Sequence, residues 1–363
     1  MLKRISLLIT IITIFRVNSN ACTGISLKLD NNQIIQARTI EWSENYLNSN
    51  LVILPKGHEY ISHMPNGKAG HKWKGKYGVV GISVQDDSLI GEGINERGLS
   101  SGVFFFPGYG KLATFTGKYL EESINDMDIV KWILTKFSTV EEVKKEITKL
   151  KIVPIILENG IPSPTGHWRV ADKNGGNIVI EIINNGEIKI YDNSVGVITN
   201  SPSFDWHLTN LNNYVNLTLA KDNGFELGKQ NVFPLGAGTG LLGLPGDITP
   251  PSRFVRASFY TNNLPILSSN QEGIEQAFHI LNNFDIPIGI SNVDKNKIPK
   301  ELTSATQWTT AANLNEQKFY YKTMYNQNIR MIDLTKINFE KIKKQVLPLD
   351  KEKVQPIEEI LIK

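Results

Sequence analysis

Strand-like segments follow one another closely between residues 24 and 108 of the chain. They are short, rich in β-branched or aromatic residues, and separated by glycine, proline or asparagine, as is typical of β-strands joined by turns. The segments are GISLKLD, QIIQART, NLVILPKG, GVVGISVQ and SSGVFFFPG. This density of strands points to a fold built on sheets.

Helical patterns dominate the segments that come later. Residues 128–137 are apolar at helical spacing, and STVEEVKKEITKL places Thr139 three residues before Glu142, which is a capping-box spacing. NIVIEIINNGEIKIYDN predicts a hairpin with Asn185-Gly186 at its turn. Three more helices are predicted for SFDWHLTNLNNYV, PSRFVRASFYTNN and NQEGIEQAFHILNNF, and closing strands for ATQWTTAANL and QKFYYKTMYN. Without a repeat or a linker, this order predicts one α+β domain with mostly antiparallel sheets.

The N-terminus has the pattern of a secretory signal. Lys3 and Arg4 form a basic start, residues 5–15 are an apolar run, and Ser19 and Ala21 are small residues at the positions that a signal peptidase reads. An apolar run of eleven residues is too short for a membrane-spanning helix, which needs about 20. We therefore predict an exported protein, either periplasmic or secreted.

Cleavage between Ala21 and Cys22 would remove residues 1–21 as the signal peptide. Two alternatives stay open. The segment could remain as a first strand or helix, or Cys22 could be lipidated, although Ser19 stands where a lipoprotein signal normally carries a Leu-like residue.

Cys22 is the only cysteine of the chain, so no internal disulfide can form. After cleavage it would carry a thiol and a free α-amine on one Cα. The amine can accept the thiol proton, so a nucleophile and its base would come from one residue. The alternatives are a buried small hydrophobic residue and a papain-like pair with His167 or His207.

Composition excludes several other classes of function. The net charge is +3 with both signs interspersed, which argues against a nucleic-acid surface. GAGTGLLGLPGD is glycine-rich but lacks the context of a phosphate-binding loop, and the six histidines show no metal-ligand spacing. We therefore expect no cofactor and no metal.

Five ordered motifs carry a family resemblance: CTGISL, ART-E at 37–41, NERGL followed by FFFPGYG, TNSPSFDWHLTNLNNY, and GDITPPSRFVR. The chain from Cys22 onward resembles the choloylglycine hydrolase family of penicillin V acylases and conjugated bile acid hydrolases. The resemblance implies a four-layer αββα N-terminal nucleophile hydrolase fold, which we assign to residues 22–347. The charged residues 348–363 are predicted from their composition to form a loose tail. The resemblance also implies hydrolysis of a small N-acyl amide without a cofactor, and a homotetramer.

Residue by residue, the resemblance places the family nucleophile at Cys22 and the arginine beside its thiol at Arg38. A guanidinium near sulfur favours the thiolate. It places the side-chain amide that helps to hold the oxyanion at Asn200, and the last active-site arginine at Arg253. The acid that hydrogen-bonds the free amine falls on Glu41, where the family has aspartate.

The expected substrate pocket is apolar. Phe105 stands where bile acid hydrolases tend to carry asparagine, and its side chain has no donor, so any help to the oxyanion must come from its backbone N–H. Trp42, Phe104 and Phe106 are near the same site by resemblance, although clustered aromatic residues are also typical of a core, so half of the four could be packing residues. We therefore predict a penicillin V acylase-like amide hydrolase. The alternatives are a conjugated bile acid hydrolase and a lipid-anchored binding protein.

Overall fold

The computed structural model describes residues 21–42, 46–156, 162–220, 223–288 and 305–362. Residues 1–20 of the predicted signal peptide therefore lie outside the described residues. No helix in these described ranges combines the length and the apolar character that crossing a bilayer requires.

Strands make up most of the regular structure. They are β1 (Ala21–Lys28), β2 (Ile34–Trp42), β3 (Asn50–Leu54), β4 (Glu59–His63), β5 (Ala69–Lys74), β6 (Val79–Val84), β7 (Asp86–Asn95), β8 (Leu99–Phe105), β9 (Ser123–Asn125), β10 (Lys151–Val153), β11 (Gly166–Asp172), β12 (Asn177–Ile183), β13 (Glu187–Asp192), β14 (Val197–Ile198), β15 (Phe225–Leu227), β16 (Gln230–Val232), β17 (Ala305–Asn313), β18 (Lys318–Thr323), β19 (Arg330–Asp333) and β20 (Gln345–Pro348).

The α-helices occupy the segments that the sequence pattern indicated. They are α1 (Ile129–Lys136), α2 (Val140–Ile147), α3 (Phe204–Asn210), α4 (Pro250–Asn262) and α5 (Asn270–Asn282). Short 3-10 helices cover Leu120–Glu122, Asp126–Asp128, Leu211–Tyr214, Thr239–Leu241 and Leu334–Lys336.

Two large antiparallel sheets form the centre of the molecule. The six-stranded sheet has the order β14-β1-β2-β17-β18-β19, and the eight-stranded sheet has the order β13-β12-β11-β8-β7-β6-β3-β20. Helix α1 packs on β7 and β8, whereas α4 packs on β1 and α5 packs on β17 and β2. The layers are therefore helix, sheet, sheet and helix, which confirms the predicted αββα architecture.

Two local predictions are confirmed at the level of single hydrogen bonds. The capping box of α2 is complete, since the Thr139 side chain accepts from the Glu142 N–H and the Glu142 side chain accepts from the Thr139 N–H. The β12–β13 hairpin pairs Ile183 with Glu187. Gly186 takes a φ of 103° in its turn, a left-handed conformation that favours glycine.

The last strand brings the C-terminal region onto the edge of the eight-stranded sheet. Strand β20 pairs with β3. Beyond it, Leu349 is buried and the Asp350 carboxylate lies 2.6 Å from the Arg330 guanidinium. The packed part of the chain thus extends to Asp350, and the exposed part of the predicted tail follows it.

Candidate active site

The pairing of β1 with β2 places the candidate residues on two faces of one strand pair. Cys22 lies opposite Ile40 and Gly24 lies opposite Arg38, whereas Ala21 lies opposite Glu41. Paired residues of antiparallel strands share a face, and successive residues alternate between faces. Cys22 and Arg38 therefore point between the two sheets, and Glu41 points toward the α4 layer.

Cys22 is 4% exposed, and its main chain is held at both ends. Its N–H donates to Asn200 Oδ1 at 2.9 Å, and its carbonyl accepts from Arg253 Nη1 at 2.5 Å. Burial raises the pKa of the Cys22 thiol. The Arg38 charge is the leading opposing cause, and the backbone N–H of Phe105 also lowers this pKa.

Asn200 joins three parts of the site through one side-chain amide. Its Oδ1 accepts from Cys22 N–H and from Arg253 Nη2 at 2.7 Å, and its Nδ2 donates to the Phe105 carbonyl at 2.7 Å. An amide NH₂ group carries two hydrogens, so one donor of Asn200 remains for a further acceptor. This geometry agrees with the predicted place of Asn200 beside the cysteine.

Arg253 lies in the first turn of α4 and is fully buried. Besides its bonds to Cys22 and Asn200, Nη1 donates to Thr23 Oγ1 at 2.8 Å and Nε donates to the Ile248 carbonyl at 2.9 Å. The guanidinium therefore fixes the main chain of β1 and the Asn200 amide relative to each other. One turn later, Arg256 donates to the carbonyls of loop residues instead.

Glu41 is 2% exposed, and its Oε1 accepts from the Thr306 hydroxyl at 3.2 Å. Its Oε2 has no hydrogen-bond partner among the described residues. Burial raises the pKa of this carboxyl to about 7, against the lowering influence of Arg253. This buried carboxyl, whose charge also acts on Cys22, can thus change its charge near neutral pH.

The four aromatic residues divide into two packing residues and two at the site. Trp42 and Phe105 are half-buried and meet edge to face, with ring centroids 6.2 Å apart. Phe104 and Phe106 are fully buried. The Phe106 ring, predicted as substrate-binding, stacks on His167 at 4.5 Å and belongs to the core.

His167 and His207 do not form a papain-like pair with Cys22 in the described structure. His167 Nε2 bonds the Thr199 carbonyl at 3.1 Å, and His207 Nε2 bonds the Asn200 carbonyl at 2.9 Å. Burial lowers the pKa of His207 to about 4, so its ring is neutral at ordinary pH. Both histidines hold the backbone that presents Asn200.

Two buried charged residues next to Arg38 escaped the sequence analysis. Glu92 Oε2 lies 3.7 Å from Arg38 Nη1, and Glu92 Oε1 accepts from Arg169 Nη2 at 2.7 Å. Glu92 and Arg169 are 77 positions apart, and no motif links them. Only the sheet register brings them together, so a single sequence carries no signal for this pair.

In the described part of the chain, no three His, Cys, Asp or Glu side chains come together in a way that could hold an ion. What the site does offer is a thiol, cationic groups near it, and N–H donors from Asn200 and Phe105, which are parts suited to acyl transfer.

The double-sheet core between helical layers, with this site at its centre, defines an N-terminal nucleophile hydrolase fold. A mutant of the conjugated bile acid hydrolase from Clostridium perfringens superposes with a TM-score of 0.80 at 32% identity, covering 94% of this chain and all of that chain. The penicillin V acylase from Agrobacterium tumefaciens gives 0.72 at 26% identity, covering 91% of this chain and 92% of that one.

Family membership follows from the sequence comparison. Residues 22–347 match the family model of linear amide C–N hydrolases, choloylglycine hydrolase family. The bile salt hydrolase/transferase of Clostridium perfringens is 33% identical over 325 residues, which cover 88% of this chain and 94% of that protein. The chain belongs to the choloylglycine hydrolase family and is a hydrolase of carbon–nitrogen bonds in linear amides, as its motifs predicted.

Proposed function

We propose that the protein is exported, that its mature chain begins at Cys22, and that it hydrolyses N-acyl amides with an apolar acyl group. The observation that carries the proposal is the environment of Cys22: its nitrogen lies against Asn200, and its sulfur is influenced by Arg38 and the Phe105 N–H. Both reactive atoms of one residue thus face groups suited to acyl transfer. The family match also begins at Cys22.

The proposed reaction needs no group beyond these residues and water. The α-amine of Cys22 takes the thiol proton, and the sulfur attacks the acyl carbon. The spare N–H of Asn200 stabilises the oxyanion, and the proton passes to the departing amine as the carbon–nitrogen bond breaks. Water, activated by the same amine, then hydrolyses the thioester. Glu41 stands where the family has the acid that hydrogen-bonds the free amine, and we assign it that role when the amine is protonated.

An apolar acyl group fits the side chains near the thiol. Trp42 and Phe105 offer ring surface there, and apolar burial contributes roughly 25 cal/mol per Å². A hydroxylated acyl group would lose hydration at such a surface unless donors and acceptors replaced the water. We therefore favour penicillin V-like or medium-chain N-acyl amides. Conjugated bile acids remain the alternative, because the matched Clostridium perfringens relative is named a bile salt hydrolase/transferase.

Substrate preference is tested by comparing kcat/KM for penicillin V, an acyl homoserine lactone and glycocholate on one preparation. We expect one of the first two to be cleaved best. If glycocholate is the best of the three by tenfold or more, the bile acid alternative replaces this proposal.

Processing is tested by the mass of the N-terminus of protein isolated from the cell fraction that contains it. A mature chain with a free Cys22 in the periplasm or medium supports the proposal. A diacylglyceryl adduct would support the lipid-anchored alternative instead, and an intact residue 1 would contradict export by this signal.

We also propose that the protein assembles as a homotetramer. The β15–β16 hairpin exposes several apolar side chains, including Phe225 at 60% and Leu227 at 67%. A two-stranded hairpin is only marginally stable alone, and exposed apolar clusters mark interaction sites. Sedimentation should give a tetramer, and the Phe225→Ser/Leu227→Ser variant should give smaller species with normal secondary structure. A monomeric parent at micromolar concentration would contradict the assembly.

A further inference from the structure

A row of three residues crosses the eight-stranded sheet directly beneath Arg38. Gly102 of β8 pairs with Glu92 of β7 on one side and with Arg169 of β11 on the other. A Cβ at Gly102 would collide with the Glu92 carboxylate. The glycine therefore leaves the space in which the two charged side chains meet.

The Glu92 carboxylate lies at different distances from its two arginine neighbours. Arg169 Nη2 donates to Oε1 at 2.7 Å, whereas Arg38 Nη1 stays 3.7 Å from Oε2. Arg38 Nη1 donates instead to the Val103 carbonyl at 2.6 Å. The carboxylate is thus bound closely by Arg169, and Arg38 is held away from it by a backbone carbonyl.

Two buried carboxylates lie on the inner face of the eight-stranded sheet near this row. Glu181 accepts from the Phe204 N–H at 2.8 Å and lies 3.2 Å from His167 Nδ1, whereas Glu92 is the carboxylate that meets the arginines.

The charges next to Arg38 do not balance. Arg38 and Arg169 carry two positive charges against the carboxylate of Glu92, and the three side chains are at most 4% exposed. The Phe104 ring lies 4.1 Å from the Arg38 guanidinium carbon and 5.6 Å from that of Arg169, which keeps this space dry. A buried charge without a partner is costly. The surplus positive charge is therefore suited to an anion at the neighbouring thiol of Cys22.

Arg38 has the means to supply that charge. Its Nη2 has no hydrogen-bond partner among the described residues. If Glu92 were released from Arg169, it could close the gap to Arg38 and neutralise it, because ion pairs strengthen steeply at short distance in a dry site.

We propose that Arg169 is a positioning residue that binds Glu92 and thereby keeps the positive charge of Arg38 available to the Cys22 thiol. The inference rests on the proposed role of Cys22 as the nucleophile. Arg169 acts through Glu92 and Arg38 and does not touch the substrate. The other charged groups that act on Cys22, Glu41 and Arg253, are left intact by changes at Glu92 or Arg169.

The test uses the rate of alkylation by iodoacetamide as a function of pH on the mature chain. Cys22 is the only cysteine, so the reaction reports one thiol. Arg169→Met should raise the apparent thiol pKa by about one unit and slow alkylation at neutral pH about tenfold. Adding Glu92→Gln should restore the rate to within about threefold of the parent, because no carboxylate is left to neutralise Arg38.

Glu92→Gln alone should act in the opposite direction and speed alkylation at pH 6 about threefold, since Arg38 then has no opposing carboxylate. Opposite signs cannot come from general loosening of the core. If Arg169→Met does not fold, this single variant still decides the matter. An unchanged or slower rate in folded Glu92→Gln would overturn the proposal.

Arg330→Met provides a control, because it also breaks a close arginine–carboxylate contact, with Asp350 at 2.6 Å, in a part of the chain far from the site in sequence. It should lower the thermal midpoint without moving the alkylation profile. Folded Arg169→Met with the parental profile would overturn the proposal. Retained amidase activity in Cys22→Ser would instead contradict the role of Cys22 as the nucleophile. The alkylation results on the other variants would still report whether Arg169 acts on the thiol through Glu92 and Arg38.

Discussion

Two fully buried arginines act on Cys22 from opposite sides of β1, and they differ in how completely they are bonded. Every guanidinium nitrogen of Arg253 donates, to Ile248, Cys22, Thr23 and Asn200. Arg38 donates through Nε and Nη1 only, and its Nη2 has no partner among the described residues.

The difference indicates that the two arginines have different roles, one in positioning and one in electrostatics. A guanidinium in which all three nitrogens donate fixes the positions of its neighbours, as Arg253 does for the Cys22 main chain and the Asn200 amide. A guanidinium with one nitrogen left without a partner in a dry space, as in Arg38, can stabilise a neighbouring group when that group becomes negatively charged. Arg38 accordingly opposes the burial of the thiol more strongly than Arg253 does.

The largest effect should come from blocking the nitrogen of Cys22, which Arg253 helps to position through Asn200. A chain that retains one methionine before Cys22 should fold but lose amidase activity by at least about a thousandfold, because a peptide nitrogen cannot accept the thiol proton. The Cys22 thiol should still be alkylated, since the extra methionine leaves Arg38 in place beside it. The same chain after removal of the methionine is the control, and full activity with the methionine confirmed by mass would contradict the mechanism.

The second prediction concerns the amide that Arg253 positions. Asn200→Ala should lower kcat by about 10² to 10³ with little change in KM, because the donor acts mainly on the oxyanion of the transition state. Steady-state kinetics on penicillin V measure the split. A rise in KM alone would assign Asn200 to substrate binding, and an unchanged kcat would remove it from the mechanism.

The fold and the nearest site residues could be predicted because their signals are local or carried by motifs. The signals for the capping box at Thr139, for the turn at Gly186 and for the order of strands and helices lie within short segments. Cys22 and Arg253 were found because they are part of the motifs CTGISL and PSRFVR. These patterns do not depend on which strands are neighbours.

The buried charged residues behind Arg38 could not be predicted, because only the register of the sheet brings them together. Glu92 and Arg169 meet only because β7, β8 and β11 are adjacent at Gly102. His167 and His207 were alternatives for a papain-like pair only because the chain contains histidines, and in the structure both bond backbone carbonyls and have a structural role. Phe106 was predicted as a pocket residue because the FFFPGYG motif places the whole stretch near the site, and a motif does not show which of its side chains turn into the core.

A third prediction concerns Glu41 in the chain with the retained methionine, where the Cys22 nitrogen is a peptide nitrogen as in the structure. The folded pKa of about 7 exceeds the ordinary value of 4.5, so the folded state binds more protons between these values. The stabilising contribution is fully present below about pH 4.5 and is lost as the pH rises through about 7.

Relative to Glu41→Gln, this chain should therefore lose about 2 to 3 kcal/mol of unfolding free energy between pH 5 and pH 8. Urea unfolding at both pH values measures the difference. In the mature chain the α-ammonium of Cys22 adds a positive charge beside Glu41, so the loss should shrink there. Equal pH dependence in the chain with methionine and in its Gln variant would show that Glu41 is ionised throughout.

The smallest effect separates the two arginines directly. Arg38→Met should raise the apparent pKa of the Cys22 thiol by about one unit, so that alkylation at neutral pH slows about tenfold. Arg253→Met should shift that pKa less, because its charge is the weakest of the named influences on the thiol, yet it should lower kcat further, since Asn200 and the Cys22 main chain lose their common anchor. Alkylation profiles and kcat measured on both variants test whether Arg38 acts mainly on the thiol pKa and Arg253 mainly on positioning. Equal pKa shifts in the two variants would mean that both arginines act on the thiol as simple charges, and that the larger number of hydrogen bonds made by Arg253 does not distinguish its role.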